Sequence, residues 1–490
     1  MKTALLALCL LLAAAPGTCT AGASATGPSA AQPKHPALPD SAAGRVLADW
    51  LDAFNSGELA PLQRFHAAHP RADASAQDEL DWRLQTGGFE PVAIEVDLPH
   101  RAVVLVRDRD STDERVRVGA TVDAVGRATV ETQALDVPRR TLPGALSGLA
   151  AELDRLAAER LFSGAVLVAR DGDVLLRTAH AVADRGAGAP VTPDTRFRVA
   201  SVNKMFTAVA ALQLVDAGKL ALDAPIGRVL PDYPDRDVAA TVTLRQLLSH
   251  RSGLADMAFG TDEGMTPAAW IPLRDQLRTH TDYLARYGPQ APVARPGEKT
   301  AYNNFGFMVV GAMIERASGM DYYEYVDAHV LRPAGMASTG FAPEAEIAPR
   351  LASGYTLRDG AWVSIADTLF HRGFAAGGGY STVDDLHRFA LALQDGTLLS
   401  PAMLAEATRP QIPEGWYGLG FIVVGDGPLR RFGHGGDAPG MGADVRIFPE
   451  SGYVLVALSN IDPPANYRPF RWFEPRMPLE RAAARTATAR

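Results

Sequence analysis

The chain has 490 residues, more than one ordinary hydrophobic core accommodates, so two domains are expected. It is 47% hydrophobic and 21% charged, which is ordinary for a soluble globular protein. The net charge of −8 excludes nucleic acid as the main partner, and no basic cluster opposes that reading.

The first residues read as a secretory leader. Lys2 is its charged start, residues 4–15 form an apolar run too short to span a bilayer comfortably, and Pro16-Gly17 breaks that run. Ala23-Ser24-Ala25 fits the small-residue pattern of a cleavage site, so residues 1–25 are expected to be a signal peptide. Export to the periplasm or medium follows, with no stable membrane anchor after cleavage. Both cysteines, Cys9 and Cys19, fall in this leader. The mature chain then has no disulfide, no thiol nucleophile and no cysteine-ligated metal.

Residues 26–41 are rich in Ala, Pro, Ser and Gly and read as a linker. Residues 42–135 follow as a small α+β domain. Val46, Leu47, Trp50, Leu51 and Phe54 repeat at helical spacing, as do Leu59, Leu62 and Phe65, and residues 76–84 allow a third helix. Alternating strands are expected at 92–96, 103–106, 116–122 and 128–132. Phe54-Asn55-Ser56-Gly57 and this element order resemble the NTF2-like superfamily. No catalytic cluster is evident there, so a packing or dimerising accessory is expected.

Residues 139–143 form a short connector before an amphipathic helix at 146–161. Strands at 164–169 and 174–181 turn at Asp171-Gly172-Asp173. Further strands are expected at 429–432, 444–448 and 453–459. Strands from both ends of this region predict one sheet, with the middle, about 201–395, as a mostly helical lobe. The cleft between them is the natural site.

Three short stretches carry chemistry. Ser201-Val202-Asn203-Lys204 opens a long apolar helix, where Ser201 is a candidate cap and Lys204 shares its face. Only five of the 48 basic residues are lysines, so a lysine here is a choice. It activates the serine only if its site lowers the amine's pKa. Tyr302-Asn303-Asn304 precedes another apolar helix. The Tyr302 phenol can relay a proton, and Asn304 can bond a substrate carbonyl or amide. His434-Gly435-Gly436 ends the strand expected at 429–432. The glycines would let a substrate approach the backbone, and the Asp437 N–H would join the Ser201 N–H as oxyanion donors. His371-Arg372-Gly373 has no strand before it and is expected to be structural or to line the cleft.

In this order the three stretches resemble the serine beta-lactamase and penicillin-binding-protein superfamily. They look closest to its class C-like branch of family VIII esterases, D-aminopeptidases and DD-carboxypeptidases. Leu247-Leu248-Ser249-His250-Arg251-Ser252-Gly253-Leu254, Pro296-Gly297, Gly378-Gly379-Tyr380-Ser381-Thr382 and Tyr417-Gly418-Leu419-Gly420-Phe421 are similar to the same branch. The resemblance covers residues 146–462. It implies an antiparallel sheet flanked by helices plus a helical lobe.

The resemblance also implies Ser201 as nucleophile, Lys204 as base, Tyr302 as proton relay, and Asn304, His434, Gly435 and Gly436 as the substrate-binding set. No metal or organic cofactor is implied. The third motif carries lysine in beta-lactamases and carboxypeptidases. His434 in its place argues for neutral esters or amides over beta-lactams and cell-wall peptides. A beta-lactamase or DD-carboxypeptidase is the alternative, and a penicillin-binding sensor without turnover is a second. The partner is a small ester, amide or peptide; the oligomeric state is not given. Residues 463–490 hold five prolines, which forbid a long helix before Pro478. A short helix at 479–490 is expected, with the sheet lacking its usual cover.

Overall fold

The computed structural model describes residues 36–70, 74–111, 114–257, 267–343, 346 and 350–481. The leader, most of the linker and residues 482–490 of the helix expected at 479–490 lie outside them. The chain divides into two compact units that meet between Arg139 and Arg140.

In the first unit three helices, α1 (Ala42–Ser56), α2 (Leu59–Ala68) and α3 (Ala76–Thr86), precede a four-stranded antiparallel meander. Its strands are β1 (Phe89–Leu98), β2 (Arg101–Asp108), β3 (Arg115–Val122) and β4 (Ala128–Ala134). Trp50, Phe54 and Phe89 stack in the core, with Phe54 and Phe89 4.8 Å apart. Asn55 fixes the start of β1: its Nδ2 donates to Phe89 O at 3.0 Å and its Oδ1 accepts from Phe89 N at 2.8 Å. Gly57 closes α1 in the left-handed conformation. The Phe-Asn-Ser-Gly stretch therefore has packing and capping duties.

The second unit begins with α4 (Leu142–Ala158), capped by Thr141 and with Pro143 in its first turn. The helix starts four residues earlier than its apolar spacing suggests, because proline is favourable there. Then follow β5 (Gly164–Arg170), β6 (Asp173–His180) and the central helix α5 (Asn203–Asp216). The lobe includes α6 (His280–Tyr287), α7 (Asn304–Ser318) and α8 (Val383–Gln394). The chain returns through β7 (Ile422–Val424), β8 (Arg431–Ala438), β9 (Met441–Ile447), β10 (Tyr453–Ser459) and α9 (Arg468–Phe473). One antiparallel sheet of order β7-β8-β9-β10-β5-β6 joins the two ends.

Strand alternation sorts the sheet into two apolar faces. Ala165, Leu167, Val445, Val454 and Val456 face the helical lobe and α5. Val166, Val168, Leu455 and Ala457 face α4 and the C-terminal segment. The second face is covered, contrary to expectation. Phe470, Trp472, Phe473 and Met477 pack on it beside Leu149, Leu153 and Leu156 of α4. The prolines do prevent a long helix, yet a six-residue one forms with Pro469 in its first turn. Residues 479–481 are not helical.

Phe470 has no exposed surface. Phe470→Ala should cost ~3–5 kcal/mol, the usual range for emptying a buried aromatic site. Urea unfolding of the variant would measure this, and a loss under ~1 kcal/mol would mean the segment does not cover the sheet in solution.

Candidate active site

α5 is apolar on nearly every side and its first ten residues are buried, which puts it at the centre of the second unit. The backbone entering it is held tightly. Phe197–Arg198 pairs with Tyr380–Ser381, and Val199 N donates to Gly379 O at 2.9 Å. Ala200 then adopts φ 42°, a left-handed value costly for a residue with a Cβ. Ser201 follows in a single 3-10 turn, Ala200–Val202. It does not cap α5: the cap position is Val202, and the Ser201 hydroxyl is left for other partners.

Lys204, one turn on, has no exposed surface. Its Nζ lies 3.2 Å from Ser201 Oγ, 2.7 Å from Asn304 Oδ1 and 2.8 Å from Ala376 O. Burial pulls its pKa down to about 7, while the charge of Asp256 opposes that fall. A neutral amine has two N–H groups and one lone pair. Asn304 Oδ1 and Ala376 O only accept, so they take the two N–H groups. The lone pair is then left for the Ser201 O–H. The Asn304 orientation is fixed independently, because its Nδ2 donates to Asp256 Oδ2 at 3.2 Å.

Tyr302 and Asn304 arrive on the start of α7. Asn303 caps this helix, its Oδ1 accepting from Gly306 N at 2.6 Å. Asp256 Oδ1 accepts from Asn304 N and Phe305 N, each at 2.8 Å, placing a carboxylate at the positive end of the helix. Lys204 Nζ sits 4.7 Å from the centroid of the Tyr302 ring and 5.4 Å from that of Phe307. Desolvation raises the Tyr302 phenol above its ordinary pKa, and a hydrogen bond with Ser201 pulls the other way. The phenol therefore keeps its proton at neutral pH.

His434, Gly435 and Gly436 lie inside β8 and do not follow a strand end. The glycines also differ from expectation. A side chain at Gly435 would collide with the Tyr467 hydroxyl, and one at Gly436 with Val199 O and, at 3.1 Å, Ser201 N. They admit the protein's own backbone and C-terminal segment. Asp437 turns its carboxylate away to the same segment, accepting from Tyr467 Oη at 2.5 Å and Asn466 Nδ2 at 3.1 Å. Burial pushes it up to about 7.

The expectation that the His434 ring grips substrate does not fit its surroundings. It is 1% exposed, with Nδ1 2.5 Å from Gly435 O and Nε2 2.9 Å from Tyr417 Oη. The carbonyl can only accept, so Nδ1 carries the proton and the Tyr417 O–H donates to Nε2. Burial, then the charge of Lys204, lowers its pKa to about 3.

His250 was not foreseen as part of the site. Its ring lies 4.2 Å from Tyr302 and 4.6 Å from Tyr417, and its Nδ1 accepts from Asn303 N at 3.1 Å. Tyr417 and His250 sit in stretches that the sequence singles out by resemblance. Asp256 carries no such signal. His371 stays apart from this group; its neighbour Arg372 lies over the Tyr323 ring.

The beta-lactamase family model matches residues 149–475, the stretch that holds all of these side chains. Esterase EstB of Burkholderia gladioli is 36% identical over 290 residues, 53% of this chain and 73% of its own length. Penicillin-binding protein 4 of Amycolatopsis lactamdurans is 31% identical over 330 residues, 63% and 83% of the two chains. The crystal structure of a penicillin binding protein from Bacillus halodurans superposes with a TM-score of 0.60 at 30% identity, covering 66% of this chain and 99% of that one.

The geometry makes a testable statement about His434. Its ring should remain the neutral Nδ1–H tautomer from pH 8 to pH 5 in nitrogen-resolved NMR of labelled histidine. An unfolded histidine takes up its proton near pH 6.5, so this buried ring makes stability fall as pH drops below that value. A His434 titration centred near 6.5 in the folded protein would contradict the assignment.

Proposed function

Because this chain belongs to the beta-lactamase family of serine hydrolases, we propose that it cleaves a small ester or amide through an acyl-enzyme on Ser201. The observation that carries this reading is the buried Lys204 amine, 3.2 Å from the Ser201 hydroxyl and otherwise bonded to two acceptors, with burial pulling its pKa down to about 7.

In acylation, Ser201 Oγ attacks the substrate carbonyl carbon and its proton passes to Lys204 Nζ. The carbonyl oxygen takes up negative charge, and the backbone N–H groups of Ser201 and Asp437 are the donors assigned to it. Gly436 supports this pairing by bringing β8 against Ser201 N. The bond to the leaving group then breaks. Tyr302 hands its phenolic proton to that group and recovers one from Lys204. Water, activated along the same path, attacks the acyl carbon; the acid leaves and Ser201 regains its proton. Asn304 orients the substrate with its amide.

His434 acts as a positioning residue. It fixes Tyr417, and the ring layer of Tyr417 and His250 backs Tyr302. A neutral imidazole at this position supplies no charge for a substrate carboxylate. Neutral esters and amides are therefore the favoured class, in keeping with the esterase relative. The penicillin-binding relative favours a second reading, action on beta-lactams or cell-wall peptides. Export on the leader at residues 1–25 belongs to the same proposal. No described helix is long and apolar enough to cross a membrane.

The test is hydrolysis of p-nitrophenyl butyrate and a chromogenic cephalosporin by wild type, Ser201→Ala and Lys204→Arg. Both variants should fold and lose ~10⁴-fold or more in turnover, as members of one catalytic unit do. The wild-type kcat/KM should be higher for the ester, by about ten-fold or more, the worth of one lost charge-assisted contact. Near-normal turnover in Lys204→Arg would remove the base assignment. A strong preference for the cephalosporin would promote the second reading.

A further inference from the structure

Three consecutive carbonyls, those of Phe374, Ala375 and Ala376, are each held by a side chain of α5. Asn203 Nδ2 donates to Phe374 O at 3.3 Å, Thr207 Oγ1 to Ala375 O at 2.6 Å, and Lys204 Nζ to Ala376 O at 2.8 Å. The segment is also a tight turn, with Phe374 N and Gly377 N donating to each other's carbonyls at 2.8 and 3.0 Å. Asn203, Lys204, Thr207, Ala375 and Ala376 are all buried. Water is thus a poor substitute for any of these bonds.

Thr207 has one hydroxyl proton. The 2.6 Å contact to Ala375 O claims it in preference to Asn203 O, which lies 3.4 Å away. The Thr207 oxygen is then free to accept, and Tyr322 Oη is 2.7 Å from it. The Tyr322 O–H therefore donates to Thr207. Tyr322 has no exposed surface, and its ring meets the edge of His280 at 4.7 Å and Phe341 at 5.7 Å. The direction of the chain is fixed: Tyr322 to Thr207 to the Ala375 carbonyl.

We propose that the Tyr322–Thr207 hydroxyl pair is a positioning device that aims the neighbouring Ala376 carbonyl at Lys204 and so keeps the amine's lone pair on Ser201. This rests on Lys204 as the base. Ala376 O is one of only two acceptors that absorb the N–H groups of the neutral amine. Loss of the Ala375 anchor frees that peptide to turn and leaves a buried carbonyl unsatisfied. If Ala376 O swings away, an amine N–H competes for Ser201 Oγ and the lone pair leaves the hydroxyl. Neither Thr207 nor Tyr322 takes part in the proton path. Their effect reaches Ser201 only through Ala376 and Lys204.

The experiment is the second-order rate of Ser201 labelling by a fluorophosphonate probe, which reads nucleophilicity whatever the natural substrate. Thr207→Val should label ~10–100-fold more slowly, the scale of a small misplacement at a reacting group. Thr207→Ser keeps the hydroxyl and should label within about three-fold of wild type, while Tyr322→Phe should fall between the two. Melting temperatures run alongside.

A purely structural role would lower the melting temperature of Thr207→Val and leave labelling unchanged, which overturns the proposal. Equal losses in Thr207→Ser and Thr207→Val would also overturn it, since packing and not the hydroxyl would then matter. Should Thr207→Val fail to fold, Tyr322→Phe decides alone: slowed labelling supports the device and wild-type labelling refutes it. Lys204→Arg is the control. Fast labelling of that variant removes the base assignment and this inference together. Inert Lys204→Arg beside fully reactive Thr207→Val and Tyr322→Phe removes the inference only.

Discussion

A lysine amine with no exposed surface either gives up its proton or acquires a counter-ion, because an unpaired buried charge is among the costliest groups a protein can hold. Burial moves Lys204 toward the first course, pulling its pKa down to about 7. The charge of Asp256 opposes this, but the Asn304 amide stands between the two, bonded to both. The carboxylate is drawn off by the N–H groups of Asn304 and Phe305. The amine is thereby left near neutrality, with two acceptors and one hydroxyl around it. The proposed chemistry depends on that balance.

The fold supplies the balance by burial from several directions. α5 runs through the second unit between the sheet and the lobe, so its first turn is dry before any substrate arrives. The 374–377 turn closes one side and the start of α7 another. β8 closes a third, where Gly436 brings strand and 3-10 turn into contact. Two neutral imidazoles complete the surroundings. Burial and the nearby lysine both lower the pKa of His434 and of His250. Neither imidazole adds a charge beside Lys204.

What the sequence made legible followed from chemistry confined to short stretches. Ser201 and Lys204 stood out because spacing put them on one face and lysine is scarce. Tyr302 and Asn304 stood out because a turn precedes an apolar helix. Tertiary contacts hid the rest. Asp256 serves α7 from a different segment, and nothing in its local sequence announces that. His250 and Tyr417 act through ring contacts and the Tyr417–His434 hydrogen bond, which no spacing rule reveals. A pair of glycines such as Gly435 and Gly436 suggests room for substrate, whereas the space belongs to Tyr467 and Val199. The prolines of the C-terminal segment exclude a long helix, but Pro469 is compatible with a helix start, and the apolar cover of the sheet comes with it.

The most direct test of this account is the ionisation of Lys204 itself. The chain has five lysines, so labelled-lysine NMR of the folded protein is simple enough to follow each amine. The account predicts one lysine that titrates near pH 7, absent from the spectrum of Lys204→Arg, with the other resonances at ordinary values. A Lys204 resonance that stays protonated up to pH 10 would contradict it.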